Sequence, residues 1–121
     1  MANTLKAGDS LDAGTSLVSA NERFTLAMQG DGNLVLYQDG VAAGHNYWST
    51  ETEWFAPAQR PTVLTLHADA QLELDDAAGA ARWNSGTWGP FTDPKAVLQD
   101  DGNLVVSDIS DQPIWASGQP G

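Results

Sequence analysis

The sequence contains no cysteine, few basic residues and no long apolar run. Without cysteine, disulfides and thiol-based catalytic or metal sites are excluded. Five Lys and Arg against 16 Asp and Glu leave a net charge of −11, which opposes phosphate backbones and anionic membranes. We therefore expect no nucleic-acid partner, and no membrane insertion because no apolar run approaches the roughly 20 residues of a membrane span. No secretory signal is visible at the start, which predicts a cytoplasmic protein or one released without a visible signal.

The composition favours a single all-β domain. The chain has 121 residues, of which 41% are hydrophobic and 12 are glycine, and its apolar residues fall in many short alternating runs. A chain of this length forms one domain with one core, and short alternating runs between turn residues are typical of strands. We predict one domain over 1–121, with two short strands between Met1 and Arg23 leading into a first hairpin.

The segment from Phe24 to Tyr37 alternates with the period of a β-hairpin whose turn is Gly30-Asp31-Gly32. Successive side chains of a strand point to opposite faces, so one face of this hairpin is apolar and the other polar. The outward face is predicted to carry Gln29, Asp31, Asn33, Val35 and Tyr37. Two amides, a carboxylate and a phenol around one small apolar side chain suit a neutral, hydroxyl-rich ligand such as a sugar.

The hairpin recurs twice, at 64–75 and at 96–107, and a tryptophan follows each copy. Trp48, Trp83 and Trp115 are separated by 35 and 32 residues, an interval typical of repeated supersecondary units. We place the repeats at about 24–50, 63–87 and 96–118. Because a lone hairpin is marginally stable, the three copies must pool their apolar faces. The sequence therefore predicts three antiparallel sheets around a pseudo-threefold axis, with the tryptophans filling the centre.

The three copies keep their inward residues but differ in their outward ones. The inward face is apolar throughout: Leu26, Met28, Leu34, Leu36; Leu64, Leu66, Leu72, Leu74; Ala96, Leu98, Leu104, Val106. The third copy carries Gln99, Asp101, Asn103 and Val105, with Ser107 in place of the tyrosine. The second copy carries His67, Asp69, Gln71, Glu73 and Asp75. The scaffold is predicted to be threefold, whereas the binding sites are not.

The outward pattern resembles that of the bulb-type (monocot) mannose-binding lectins, Gln-x-Asp-x-Asn-x-Val-x-Tyr. Gln29, Asp31, Asn33, Val35 and Tyr37 match every fixed position, and the likeness extends from Leu5 to Gly118. The resemblance implies a β-prism II fold of three four-stranded antiparallel sheets. It also implies a non-catalytic lectin for mannose or mannose-containing glycans that needs no cofactor.

The resemblance assigns a role to each outward residue of the first copy. Asp31 and Asn33 would hold the axial 2-hydroxyl of mannose, Gln29 the 3-hydroxyl and Tyr37 the 4-hydroxyl, while Val35 would pack on the apolar face of the sugar. The third copy would be a second, weaker site formed by Gln99, Asp101, Asn103 and Val105, in which Ser107 is too short to reach the ligand. In the second copy, Glu73 would place a charge under the apolar sugar face, which is costly to desolvate.

Two further expectations come from the same resemblance. Many plant members have a disulfide between the position of Gly32 and a position near Thr62, so its absence here predicts a more mobile first loop. Members often form homodimers by exchanging C-terminal strands, which here would be the segment from Ile114 to Gly118. Trp54 and Trp88, in the loops 51–61 and 86–94, are interpreted either as loop covers or as a partner surface.

Three other functions stay open at this point. A prism scaffold that has lost sugar binding could act as an interaction protein, and a bacteriocin-like antibacterial lectin would recognise bacterial surface polysaccharide. A glycosidase needs two opposed carboxyl groups, but Asp75-Asp76 and Asp100-Asp101 are interpreted as exposed turn residues. His45 and His67 lack metal-ligand spacing, and the Asp-Gly-Asn turns lack the alternating acidic ligands of a calcium loop. We therefore predict no enzyme activity and no metal requirement.

Overall fold

The computed structural model describes residues 3–39, 45–87 and 89–117, with the backbone alone at 45–47. Trp88 and Gly118, and the side chain of His45, lie outside the described residues. The twelve strands are β1 Thr4–Lys6, β2 Ser10–Asp12, β3 Ser16–Val18, β4 Phe24–Met28, β5 Leu34–Gln38, β6 His45–Ser49, β7 Pro61–Leu66, β8 Leu72–Asp76, β9 Ala81–Asn84, β10 Lys95–Leu98, β11 Leu104–Ser107 and β12 Pro113–Ala116. A short 3₁₀ turn, Pro57–Gln59, lies in the loop before β7. Among these residues no helix has the length and hydropathy needed to cross a membrane.

The strands form three four-stranded antiparallel sheets, in the orders β3-β4-β5-β6, β2-β7-β8-β9 and β1-β10-β11-β12. Each sheet takes three consecutive strands from one predicted hairpin and the strand after it, together with one strand from the start of the chain. This is the three-sheet prism that the resemblance implied. We call the sheets first, second and third after the hairpin each contains.

The start of the chain differs from its prediction. We expected two short strands before the first hairpin, whereas there are three, and each pairs with a different sheet. Leu5, Leu11 and Leu17 lie at the centres of these strands and are buried. Three residues are too few for a recognisable period, so these strands are defined by their partners. Leu5 pairs with Ala96 and Leu11 with Leu64, both far along the chain, whereas Leu17 pairs with Leu26 of the next strand.

The core consists of the predicted inward residues. All twelve are at most 1% exposed, and they form one cluster with the three leucines of β1 to β3. Burial of each leucine contributes roughly 1.5–3 kcal/mol, which offsets the ordering entropy of a small domain without disulfides.

Trp48, Trp83 and Trp115 meet one another at similar distances. Their ring centroids are 6.2, 5.9 and 6.0 Å apart, and their planes are inclined by 69–75°, which is edge-to-face packing. Each such pair contributes about 0.5–1.5 kcal/mol beyond the area it buries. The tryptophans are partly rather than fully buried and pack against the core. The predicted central triad is therefore confirmed.

Each sheet has a register shift where the second strand of its hairpin pairs with the strand that follows it. The shifts lie between Leu36 and Tyr37, between Leu74 and Asp75, and between Val106 and Ser107. Such irregularities re-aim the side chain next to them. The extra residue lies on β6, β9 and β12, at positions 47, 82 and 114, next to the pairs made by Tyr37, Asp75 and Ser107.

Candidate functional site

The first sheet brings Gln29 and Tyr37 into direct contact. Gln29 follows β4 and Tyr37 lies on β5, and Gln29 Nε2 donates a hydrogen bond to the Tyr37 hydroxyl. Both side chains are partly exposed. The pair still has the second amide hydrogen, the amide oxygen and the phenol hydrogen with which to bind hydroxyl groups.

Asp31 and Asn33 are joined through the turn. The Asn33 backbone N–H donates to Asp31 Oδ1 at 2.9 Å, and Gly32 in between has φ +88°, the left-handed region that favours glycine. The same bond joins Asp69 to Gln71 in the second sheet and Asp101 to Asn103 in the third. Asp31 therefore shapes the turn with one oxygen and presents the other outward.

The Asn33 side chain is covered, because it is only 4% exposed. Its Nδ2 donates to Glu53 Oε2, and its Oδ1 accepts from Thr50 Oγ1 and the Thr52 N–H, both at 3.3 Å. Glu53 belongs to the loop 50–60, which we call the covering loop. A ligand that is to reach Asn33 must share its amide with Glu53 or displace the carboxylate.

The covering loop is tied down without a disulfide. Thr52 is 4% exposed, and its hydroxyl donates to the Gly32 carbonyl at 2.5 Å. At the other end of the loop, Arg60 and Pro61 lie so close that a Cβ on Gly32 would be 2.2 Å from Arg60 Cγ. These contacts join the regions that the resemblance links by a disulfide in other members.

Trp54 is 85% exposed, so it does not cover the loop and the cover interpretation is wrong for this residue. Its neighbour Phe55 is partly buried and has the Arg82 guanidinium 5.8 Å from its ring centroid. Trp54 is thus held on an anchored loop, next to the residue that contacts Asn33.

Val35 lies between Asn33 and Tyr37 on β5 and is 2% exposed. A groove of about 420 Å³ begins beside Gln29 and Asp31 and extends along β3 and β4, past Ser16 and Ala27. Of the five predicted residues of the first copy, Gln29, Asp31 and Tyr37 are accessible, whereas Asn33 and Val35 are buried. The groove is lined by Gln29 and Asp31 of this set.

The third sheet has a cleft on its outward face. The cleft has a volume of about 280 Å³ and is lined by Lys95, Val97, Gln99, Val105, Ser107, Asp111 and Pro113. Of the predicted second site, Gln99 and Val105 line it, while Asp101 and Asn103 lie in the adjoining turn. Asn103 Oδ1 accepts a hydrogen bond from Ser117 Oγ at 3.0 Å, and no residue in the position of Glu53 contacts it among residues 89–117.

The second sheet presents charged groups that interact with one another. Glu73 Oε2 accepts from Gln71 Nε2 at 3.2 Å and lies 3.5 Å from His67 Nε2. Burial, followed by the nearby Glu73 carboxyl, raises the pKa of Asp75 to about 6. This face offers a neutral sugar an excess of acceptors, and the absence of a site in the second copy stays a prediction.

The aspartates weighed as catalytic groups are engaged in the scaffold. Asp76 Oδ1 accepts the Ala78 and Ala80 N–H groups, both at 2.9 Å, and its Oδ2 is 2.8 Å from Arg82 Nη2. These bonds hold the pKa of Asp76 below its usual value. We expected Asp75 and Asp76 to be exposed turn residues, but both lie on β8. Asp75 is partly buried there, and Asp76 is 4% exposed because the following turn folds back over its carboxylate. Within the described residues, no group of three or more His, Asp or Glu side chains could hold a metal ion.

The chain is similar to known lectins along almost its whole length. It is 33% identical to the B-type lectin plumieribetin of Scorpaena plumieri, over 95% of this chain and 94% of that one. The chain belongs to the bulb-type (B-type) lectin family. Among solved structures, a monomeric monocot mannose-binding lectin from Gastrodia elata covers 99% of this bulb-type lectin and 100% of its own chain, at a TM-score of 0.84 and 32% identity. The mannose-specific agglutinin of snowdrop, complexed with methyl-α-D-mannoside, gives a TM-score of 0.75 and 29% identity over 98% of each chain. No family model matches the sequence.

Sequence reasoning missed three residues of this bulb-type lectin that lie at its outward faces: Glu53, Lys95 and Asp111. For Glu53 the sequence held no signal, because its contact with Asn33, 20 residues away in the chain, depends on how the covering loop folds over the turn. For Lys95 a signal existed. It occupies the position that Thr25 has in the first copy, since Thr25 pairs with Tyr37 and Lys95 with Ser107.

Proposed function

We propose that this bulb-type lectin binds mannose or mannose-containing glycans at the outward face of its first sheet, without catalysis. The observation that carries the proposal is the hydrogen-bonded pair of Gln29 and Tyr37 on the same sheet as the exposed Asp31, with all three side chains accessible. These groups offer donors and acceptors to several neighbouring hydroxyls at once. The solved relatives described as mannose-binding and as a mannoside complex support the same ligand.

The affinity of such a site follows from its hydrogen bonds. Each contributes roughly 0.5–1.5 kcal/mol net, because sugar and protein both give up water. Four or five such bonds, less the cost of association, correspond to about −4 kcal/mol, or a Kd near ~1 mM for one mannose. Stronger binding to glycans then requires several sites engaged together.

The test is a titration of methyl-α-D-mannoside followed by two-dimensional NMR of the backbone amides, with methyl-α-D-glucoside as the matched ligand. Mannoside should shift the amides of β5 and the turn before it, and glucoside should shift them less because it differs only at the 2-hydroxyl. Tyr37→Phe removes one hydroxyl and should weaken binding several-fold. No response to mannoside in the wild-type protein would contradict the proposal.

One observation favours a second candidate, a scaffold whose first site is closed. Glu53 occupies the Asn33 amide, and Asn33 is nearly inaccessible. If the covering loop never yields, the chain would serve as an interaction protein, with Trp54 as an exposed contact. The same titration separates the two functions, because the closed scaffold shows no response at β5.

We also propose that two copies associate by exchanging β12. In the single chain β12 is a four-residue edge strand paired with β11 and carries Trp115 into the central triad. A β12 from a second copy could form the same register, which is how domain swapping produces dimers. Light scattering at several concentrations should give twice the mass of 12.8 kDa. A monomer mass throughout would contradict this arrangement.

A further inference from the structure

We infer that Lys95 and Asp111 are ligand-contacting residues of the third-sheet cleft, and that together they take the place of the missing tyrosine in a second hexose site. The inference rests on the proposed function, because it concerns the same class of ligand at a second position of the prism.

The long and the short side chain of one cross-strand pair are interchanged between the first and the third sheet. In the first sheet, Thr25 on β4 lies opposite Tyr37 on β5. In the third sheet, Lys95 on β10 lies opposite Ser107 on β11. Residues opposite each other on antiparallel strands point to the same face and are in lateral contact. A long side chain facing a short one thus replaces a short side chain facing a long one, and Lys95 lies beside the space that Ser107 leaves.

Lys95 forms an ion pair with Asp111 in the cleft. Lys95 Nζ is 2.7 Å from Asp111 Oδ1, and both residues line the cleft together with Gln99, Val105 and Ser107. Asp111 is positioned by a structured turn, in which its N–H donates to the Asp108 carbonyl at 3.0 Å and its own φ is +62°. The ammonium group therefore lies against a carboxylate whose backbone is held by the turn.

The Lys95–Asp111 ion pair can offer both a donor and an acceptor to one sugar hydroxyl. An ammonium group has three donors and a carboxylate about four acceptor positions, and their mutual contact uses one of each. One sugar hydroxyl can accept from Lys95 and donate to Asp111 while the ion pair persists. A phenol offers the same combination of one donor and one acceptor. Gln99 and Val105 supply the amide and the apolar floor, as Gln29 and Val35 do in the first sheet.

The side chains of the ion pair are accessible to a ligand. The Lys95 and Asp111 side chains are 41% and 74% exposed, so the pair contributes little to stability and can be changed without unfolding the protein. Asn103 has no carboxylate on its amide among the described contacts, unlike Asn33. Asn103 is therefore partly exposed, whereas Asn33 is buried.

The test is the amide NMR titration with methyl-α-D-mannoside, read separately at β11 and at β5, on the wild-type protein and on Lys95→Met and Asp111→Asn. We expect mannoside to shift the β11 amides, and each variant to weaken that response about fivefold or more, since hydrogen bonds to charged groups are the stronger ones. The response at β5 should stay unchanged. Arg23→Met is the matched control, because Arg23 also forms an exposed ion pair, with Asp39, but does not line the cleft.

Three results would overturn the inference. One is a β11 response of unchanged affinity in both variants. Another is a loss of β11 binding that Arg23→Met causes equally. The third is a response at β5 with none at β11, which leaves the proposed function intact and removes only this second site. If mannoside shifts neither the β5 nor the β11 amides, the proposed function and this inference are both contradicted. Failure of the second site alone is therefore distinguishable from failure of the proposed function.

Discussion

Replacing Glu53 by glutamine should strengthen mannose binding at the first sheet. Glu53 Oε2 accepts the hydrogen bond of Asn33 Nδ2, the group expected to hold the 2-hydroxyl of the ligand. Sugar and carboxylate therefore compete for the same amide. Glutamine keeps the shape of the side chain and an acceptor oxygen but removes the charge, so it competes less strongly.

The size of the effect follows from the two kinds of bond. A hydrogen bond to a charged group contributes roughly 1.5–3 kcal/mol and a neutral one roughly 0.5–1.5 kcal/mol. The difference of about 1 kcal/mol corresponds to about a fivefold lower Kd. Glu53→Ala removes the competitor entirely and should improve affinity further. The covering loop should stay in place in both variants, because Thr52 anchors it independently through the Gly32 carbonyl.

The assay is the Kd for methyl-α-D-mannoside at the β5 amides in both Glu53 variants. Glu51→Gln is the matched control, because it makes the same change of charge at an exposed position two residues away. An unchanged Kd in both Glu53 variants would refute competition for Asn33. Weaker binding would show instead that the Glu53 carboxylate contacts the sugar.

Three further changes test the turn, the loop contact and the charged face of the second sheet. Asp31→Asn keeps an acceptor for the Asn33 N–H but removes the outward carboxylate oxygen, so mannose binding should fall about tenfold at unchanged stability, whereas Asp31→Ala should also cost about 1 kcal/mol in chemical denaturation. Gly32→Ala should destabilise the fold more than Gly14→Ala. Both positions have positive φ and incur roughly 1–2 kcal/mol of backbone strain, but only at Gly32 would the new Cβ meet another residue. Asp75→Asn should raise the melting temperature at pH 7 and leave it nearly unchanged at pH 4.

The sign of the Asp75 effect follows from its raised pKa. The folded state holds its proton up to about pH 6, whereas the unfolded chain releases it near 3.8. Between these values the folded state binds more protons than the unfolded chain, so the free energy of unfolding falls as the pH rises. Above about pH 6 the loss caused by the charged Asp75 carboxylate is complete. Asp12→Asn, at an exposed strand position, is the control. Equal melting-temperature gains for the two variants at pH 7 would contradict a specific role for Asp75.

For Asp31 the contradicting result is unchanged mannose binding by Asp31→Asn. For Gly32 it is a loss of stability equal to that of Gly14→Ala. That outcome would mean that the Arg60 side chain moves aside without cost.

The sequence by itself determined the core, the sheet hairpins and the pattern of the first site. Leucines at every second position can be buried together only if the hairpin is a strand pair, and this period is a local property. The spacing of the three tryptophans likewise predicted the central triad, because equivalent positions of a repeat meet at its axis. The motif carried the family, since five outward residues at alternate positions must share a face wherever the strand is formed.

Only the tertiary structure decided which outward residues are accessible and what accompanies them. Each three-residue strand at the start of the chain pairs with a different sheet, and no local sequence pattern predicts which sheet that is. Glu53 reaches Asn33 because a loop folds over the turn, and Lys95 stands beside Ser107 because the strand register places them opposite each other. Contacts between residues far apart in sequence depend on the assembled sheets, so a motif read along the chain predicts the groups of a site but not their neighbours.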